Sequence, residues 1–195
     1  MWSLGRIACI GDSFLRVDDL LRAPVDLEQE ISLAVKIQAV PVVKRLLEHG
    51  SIDINYTGKG GQQRTALQYA VKNVNTELVN LLIGGNANIN DPPSKWRGAT
   101  ALQIAAIHGY LGIAWRLIDL GAEVNAPGAV VSGRTALEGA AEHGRIDMIQ
   151  MLLDEGAAVT GEFGKKQYRR AVEFAGRQGH QAAARLSITF DPRQV

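Results

Sequence analysis

Sulfur is scarce in this chain: Cys9 is its one cysteine. That excludes an internal disulfide framework and a multi-cysteine zinc site, and fits a reducing compartment. Aromatics make up only 6% of the residues, so Leu and Ala must do most of the packing. Charge of one sign is lacking too. Lys and Arg number 21 and Asp and Glu number 20, a net charge of +1, which offers no long-range field for gathering nucleic acid or an anionic membrane. No run of about 20 apolar residues is present, so no membrane-spanning helix is expected. The opening MWSLGRIACIGD is short and carries Arg6, which argues against a signal peptide. The expected location is intracellular, cytoplasmic or nuclear. No serine or cysteine nucleophile constellation is recognisable, and Cys9 has no neighbouring His.

What is there is a repeat. Thr135 to Thr160 reads TALEGAAEHGRIDMIQMLLDEGAAVT. Related segments start at Thr100 and Thr65, so the period is 35 residues. A fixed period in this range is the signature of a stacked repeat protein, and the chain's 46% hydrophobic content suffices for a continuous core. An earlier copy is disguised. Its helices are expected at about Leu27 to Gln38 and Pro41 to His49, with Pro41 tolerated at the first helical position, which needs no N–H donor.

Each clear copy opens with Thr-Ala-Leu followed by Gln or Glu: Thr65 with Gln68, Thr100 with Gln103, Thr135 with Glu138. That is capping-box spacing, in which the hydroxyl accepts from the third backbone N–H and the longer side chain reaches back. Small residues at Ala70, Ala105, Ala106, Ala140 and Ala141 let helices approach closely. Gly109 and Gly144 fall where the first helix must end in a left-handed residue, so strained turns are expected where Gln38 and Val74 hold that place. The second helix carries paired apolar residues such as Ile149, Leu152 and Leu153. Gly50, Asn86, Gly121 and Gly156 then serve as its left-handed ends.

The flanks differ. Residues 1–27 read as an irregular N-terminal flank with a short helix over SFLRVDDLL, or alternatively as the remnant of a longer chain. At the other end, Arg170 to Ile188 continues the period with small residues in its second helix, as a terminal unit requires. Residues 189–195 read as a tail.

The pattern Gly133-Arg134-Thr135-Ala136-Leu137, Ala140-Ala141, Gly144, Leu152-Leu153, Gly156-Ala157 and Val159 resembles the ankyrin repeat, over about residues 28–188. The predicted divisions are 28–60, 61–95, 96–130, 131–165 and a cap at 166–188. Departures are Ala for the usual Pro at 66, 101 and 136, Gln or Glu for the usual His, and loops lengthening each unit by two residues. Those loops, YTGKGGQQR, DPPSKWRGA and APGAVVSGR, together with the ending EFGKKQYRRAVEFAGRQGHQAAARL, are similar to ankyrin proteins of filamentous fungi. The resemblance implies an all-α solenoid of helix-turn-helix units joined by long hairpin-like finger loops. It implies an L-shaped stack whose first helices and fingers form a concave face, and a family that mostly binds other proteins there.

Carried onto this sequence, the variable positions are Lys72, Asn73, Ile107, His108, Glu142 and His143, and the finger positions include Tyr56, Trp96, Arg97 and Arg134. Trp96 follows Pro92-Pro93 in a polar loop and has a weak claim on any core. Trp and Arg are enriched among residues that dominate interface energies, which makes Trp96 the leading candidate. The competing reading folds it onto its own hairpin or a neighbouring finger. Trp115, on a second helix, reads as packing or outer surface.

Other chemistry is weaker. His108 and His143 occupy equivalent places, but neighbouring repeats lie about 10 Å apart. That exceeds what one metal ion with bonds near about 2.1 Å can bridge. Gly58-Lys59-Gly60-Gly61 lacks the frame of a phosphate loop and reads as a flexible finger. Lys165, Lys166, Arg169 and Arg170 form the densest basic cluster, partly offset by Glu173 four residues from Arg169 and from Arg177.

The sequence therefore points to a non-enzymatic, monomeric interaction scaffold with another protein as partner. No cofactor, metal, nucleic acid or membrane partner is expected. Two alternatives stand beside it. One is a small-molecule or enzymatic accessory role in a fungal pathway, with a pocket closed by the fingers over His108, Glu142 and His143. The other is a fragment of a larger regulatory protein.

Overall fold

The computed structural model describes residues 27–48, 52–57 and 64–189. The flank helix expected before Leu27, Cys9, Gly50, the Gly58–Gly61 run and the tail beyond Thr189 lie outside the described residues. Ten α-helices are described, and regular strands are absent among the described residues. They are α1 Leu27–Lys36, α2 Val40–Glu48, α3 Ala66–Lys72, α4 Thr76–Gly84, α5 Ala101–His108, α6 Leu111–Asp119, α7 Ala136–Glu142, α8 Ile146–Asp154, α9 Gly161–Arg177 and α10 Gln181–Thr189. The all-α repeat class is therefore as expected. Two compact units are formed, one holding α1 to α4 and the other α5 to α10.

In the first unit, α1 packs on α2 and α3, and α3 packs on α4. Glu28 and Glu30 in the first turn of α1 and Lys36 in its last turn oppose the helix dipole. Ile31, Ala34 and Val35 from α1 meet Leu67, Ala70 and Val71 from α3 in the core, with Val43, Leu46, Leu78 and Leu82 from the second helices. Pro41 stands second in α2, still within the turn whose N–H groups have no intrahelical acceptor.

In the second unit, α5 packs on α7, α7 packs on α9, and α8 and α9 both meet α10. Leu102, Ala105, Ala106, Leu137, Ala140, Ala141, Ala171 and Ala175 form the layer between first helices. Leu117, Ile149 and Leu152 fill the space behind them. Small side chains let the helix axes come close, while the leucines supply most of the apolar area removed from water.

All three capping boxes form: the Thr65, Thr100 and Thr135 hydroxyls accept from the third residue's N–H, and Gln68, Gln103 and Glu138 accept the threonine N–H in return. The first helices end left-handed at Gly109 (φ 79°) and Gly144 (φ 64°), and also at the non-glycines Gln38 (φ 59°) and Val74 (φ 57°). That is the strain expected from the repeat alignment. Asn86, Gly121 and Gly156 are left-handed after the second helices.

The asparagines that end the repeats act as staples between successive copies. Asn90 accepts the N–H of Glu123 at 2.9 Å and donates to the Gly121 carbonyl at 2.9 Å. Asn125 repeats the arrangement on Ala158 and Gly156. Within the first unit, Asn55 accepts from the N–H of Asn88 at 2.7 Å.

The terminal region departs from the template. Gly161 starts a 17-residue helix, well ahead of Arg170 and of the division expected at 165/166. Its buried residues Gly164, Gln167, Ala171 and Ala175 recur every three or four positions, the spacing of one helix face. A Cβ at Gly164 would sit 2.8 Å from the Val159 backbone, so the first turn can dock there only as glycine. Gln167 donates to the Ala158 carbonyl at 2.8 Å and closes the contact. A helix thus stands where a further finger would have begun.

Candidate interaction surface on the fingers

The second unit carries two fingers of matching geometry, residues 94–98 and 129–133. Their positions differ by the same 35 residues as the helices. Arg97 (φ 51°) and Ser132 (φ 57°) are both left-handed at equivalent places. The glycine that follows each is enforced by crowding. A Cβ on Gly98 would lie 2.3 Å from the Ser94 nitrogen, and one on Gly133 would lie 2.0 Å from the Ala129 nitrogen. The Gly133 N–H donates to the Ala129 carbonyl at 3.2 Å, closing the second turn.

The fingers are tied together by backbone. Trp96 and Val131, equivalent residues one repeat apart, form a parallel bridge. The Arg97 N–H donates to the Val131 carbonyl at 3.0 Å, and the Val131 N–H donates to the Lys95 carbonyl at 3.1 Å. The competing reading of Trp96, a fold onto the neighbouring finger, is realised in its main chain. Its main chain joins the neighbouring finger, while the residue remains 54% exposed. Val130 beside it is 84% exposed. Two backbone hydrogen bonds made by its neighbours Lys95 and Arg97 fix the main chain that carries this aromatic.

At the base of the second finger the candidate residues turn inward on each other. Arg134 makes a two-pronged pair with Glu142: Nε to Oε2 at 2.7 Å and Nη2 to Oε1 at 3.0 Å. Its guanidinium also lies 3.9 Å from the centre of the Phe174 ring. Nη1 donates to the Ser132 and Gly133 carbonyls. Arg170 of α9 donates to the same Gly133 carbonyl at 3.3 Å and lies over Phe174 at 5.3 Å. Its Nε stands 3.2 Å from Glu138 Oε1. Glu138 is buried, and burial pushes its carboxyl above the usual range against the opposing pull of the Thr135 N–H, Arg170, Arg134 and Lys166. Arg134 and Glu142 thus orient the second finger, with most of their hydrogen-bonding capacity satisfied inside the chain.

The remaining expected residues separate in the same way. Ile107 is half-buried and occupies the space that Gly139 leaves, since a Cβ there would lie 2.6 Å from Ile107 Cγ1. The Ile107 carbonyl accepts from Arg145 Nε. His108 is exposed and stacks on Tyr110 with ring centres 5.2 Å apart. His143 is exposed, with Nδ1 at 3.0 Å from the Gly139 carbonyl. In the first unit, Lys72 is exposed, and Asn73 donates to the Val35 and Lys36 carbonyls at 3.3 Å, finishing α1. Tyr56 is half-buried. Trp115 is 46% exposed on α6, in keeping with a surface position.

Sequence reasoning missed two things. The network of Arg134, Glu138, Glu142, Arg170 and Phe174 joins residues far apart in the chain, and only the Arg134–Glu142 spacing within one copy hinted at it. The exposed Phe163, 44% accessible in the first turn of α9, was missed because the terminal unit was read only from Arg170 onward. Among the described residues, no group of three His, Cys, Asp or Glu is placed to hold a metal ion. No described helix is long and apolar enough to cross a membrane. A family model described as ankyrin repeats, in three copies, matches residues 31–128 and again residues 72–163. No curated protein matches the chain.

Proposed function

This chain belongs to the ankyrin-repeat family, and from that premise we propose that it is a non-enzymatic module that binds another protein through its finger tips. The observation that carries this reading is Trp96: a large aromatic, more than half exposed, on a turn fixed by two backbone hydrogen bonds. Rigid exposed aromatics of this kind anchor protein interfaces, because they bring large apolar area at low entropic cost. Arg97, exposed on the same turn, supplies a second contact. His108 and His143, exposed on the same unit, add further candidate surface, while Arg134 paired with Glu142 supports the second finger from its base. In the first unit, taken by itself, Lys72 is exposed, Tyr56 is half-buried, and Asn73 serves the fold.

Hydrogen exchange tests the location. The partner is captured from the source cell, purified and added to the full chain. Added protection is expected at residues 94–98 and 129–133. Protection confined to the second helices α6 and α8 would contradict the assignment.

A further inference from the structure

Charge is distributed unevenly over the unit formed by α5 to α10. The fingers and the first half of α9 carry Lys95, Arg97, Lys165, Lys166 and Arg169, all exposed, against one exposed carboxylate, Glu162. The second helices and the turns after them carry the reverse. Asp119, Glu123, Asp147 and Asp154 are exposed there and Glu155 is half-buried, against the exposed Arg116, Arg145 and Arg185, so the balance leans negative. The net charge of +1 conceals this separation.

The segments that carry these cations are joined to one another. Lys95 and Arg97 bond through their main chain to Val131. The second finger is tied to α9 by Arg170 on Gly133, and Lys166, one turn earlier on α9, lies within electrostatic reach of Glu138. Exposed apolar side chains interleave with the charges: Trp96, Val130 and Phe163. Arg169 donates to the Lys165 carbonyl at 3.4 Å.

We propose that the partner contributes an acidic polypeptide segment bearing apolar side chains, seated on Trp96 and Val130 and held by Lys95, Arg97, Lys165 and Lys166. This rests on the finger-tip reading above and adds the chemistry of the occupant. Charge complementarity selects an anion and steers its approach. The apolar residues select a polypeptide over other polyanions. At the finger tip Trp96 is the one aromatic among the exposed apolar residues, and Val130 on the second finger is aliphatic and gives a nucleic-acid base no stacking platform. A near-neutral chain also lacks the broad positive field that phosphate backbones and anionic bilayers reward.

The test is fluorescence anisotropy on the full chain with a labelled glutamate-rich peptide containing two leucines. The comparison probes are its lysine-rich counterpart, an oligouridine, and phosphatidylserine-containing vesicles. The acidic peptide is expected to bind most tightly and to weaken as ionic strength rises from about 0.05 M to about 0.5 M, where screening shortens to a few ångströms. Lys95→Glu combined with Lys165→Glu should weaken it by about tenfold or more, equivalent to about 1.4 kcal/mol, with thermal unfolding unchanged. Equal binding of the lysine-rich peptide, indifference to the charge reversals, or tighter binding of oligouridine or vesicles would overturn the proposal. Trp96→Ala separates the two levels. If it weakens binding while the charge reversals do not, the finger-tip reading stands and the acidic class fails; if neither weakens binding, both fail.

Discussion

Arg170 holds its Nε 3.2 Å from the buried Glu138 carboxylate, across the junction between α7 and α9. In the preceding repeat the equivalent Gln103 donates its amide to the Ala126 and Pro127 carbonyls of the loop that follows. Glu138, when ionised, has no donor to offer such a loop. A helix bearing an arginine faces it instead, so the exchange of Gln for Glu accompanies the exchange of finger for helix.

A pH dependence follows from this position. Burial raises the Glu138 carboxyl above its ordinary value. Its favourable contribution to folding is therefore fully present when it is protonated, below the ordinary carboxylate range, and is lost as pH rises through the raised value. Glu138→Gln keeps the neutral form at every pH. Relative to the parent, the variant should gain stability between about pH 4, near the ordinary carboxylate pKa, and pH 7. Thermal unfolding at both pH values checks the direction; a variant that loses ground towards neutrality would show the Arg170 pair outweighing burial.

Ile107 and Gly139 should be energetically coupled. A methyl group at 139 would come within 2.6 Å of Ile107 Cγ1. Gly139→Ala should be better tolerated on an Ile107→Ala background than in the parent, by about 1–3 kcal/mol, the usual cost of overpacking. A double-mutant cycle by urea unfolding measures this. Additivity would place Ile107 elsewhere.

Val74 offers a stabilising change. It is 48% exposed at φ 57°, a conformation that disfavours β-branched residues by roughly 1–2 kcal/mol. Val74→Gly should raise the unfolding free energy by about 1 kcal/mol after allowing for the more flexible unfolded chain. A decrease would mean that the Val74 side chain contributes more by contact than it costs in strain.

Much of this was legible in the sequence because it is local and recurrent. Thr135 with Glu138, Gly144 and the paired alanines each specify a cap, a turn or a close approach within a few residues. The strained Gln38 and Val74 were legible for the same reason. What could not be read depends on contacts between copies. The period placed the terminal unit from Arg170 onward, yet Gly164, Gln167, Ala171 and Ala175 align on one face of a helix that starts at Gly161. Asn73 and Ile107 occupy positions that vary in related repeats, and here they finish a helix and fill the space above a glycine. Arg134 and Glu142 looked available until their pairing was seen. At Trp96 the structure ties the main chain to the neighbouring finger and leaves more than half of the residue exposed.

Leu137 tests the repeat packing itself. It is 2% exposed between neighbouring first helices. Leu137→Ala should cost about 2–5 kcal/mol, read from denaturant unfolding. A midpoint equal to the parent's would contradict its place in the core.

The most direct measurement of the central claim is titration calorimetry of the captured partner against the full chain and Trp96→Ala, with thermal unfolding of both proteins alongside. An anchor residue typically contributes about 2 kcal/mol or more, so the variant should bind roughly thirtyfold more weakly or worse while unfolding at nearly the parent temperature. Equal affinity in the two proteins would contradict the finger-tip site.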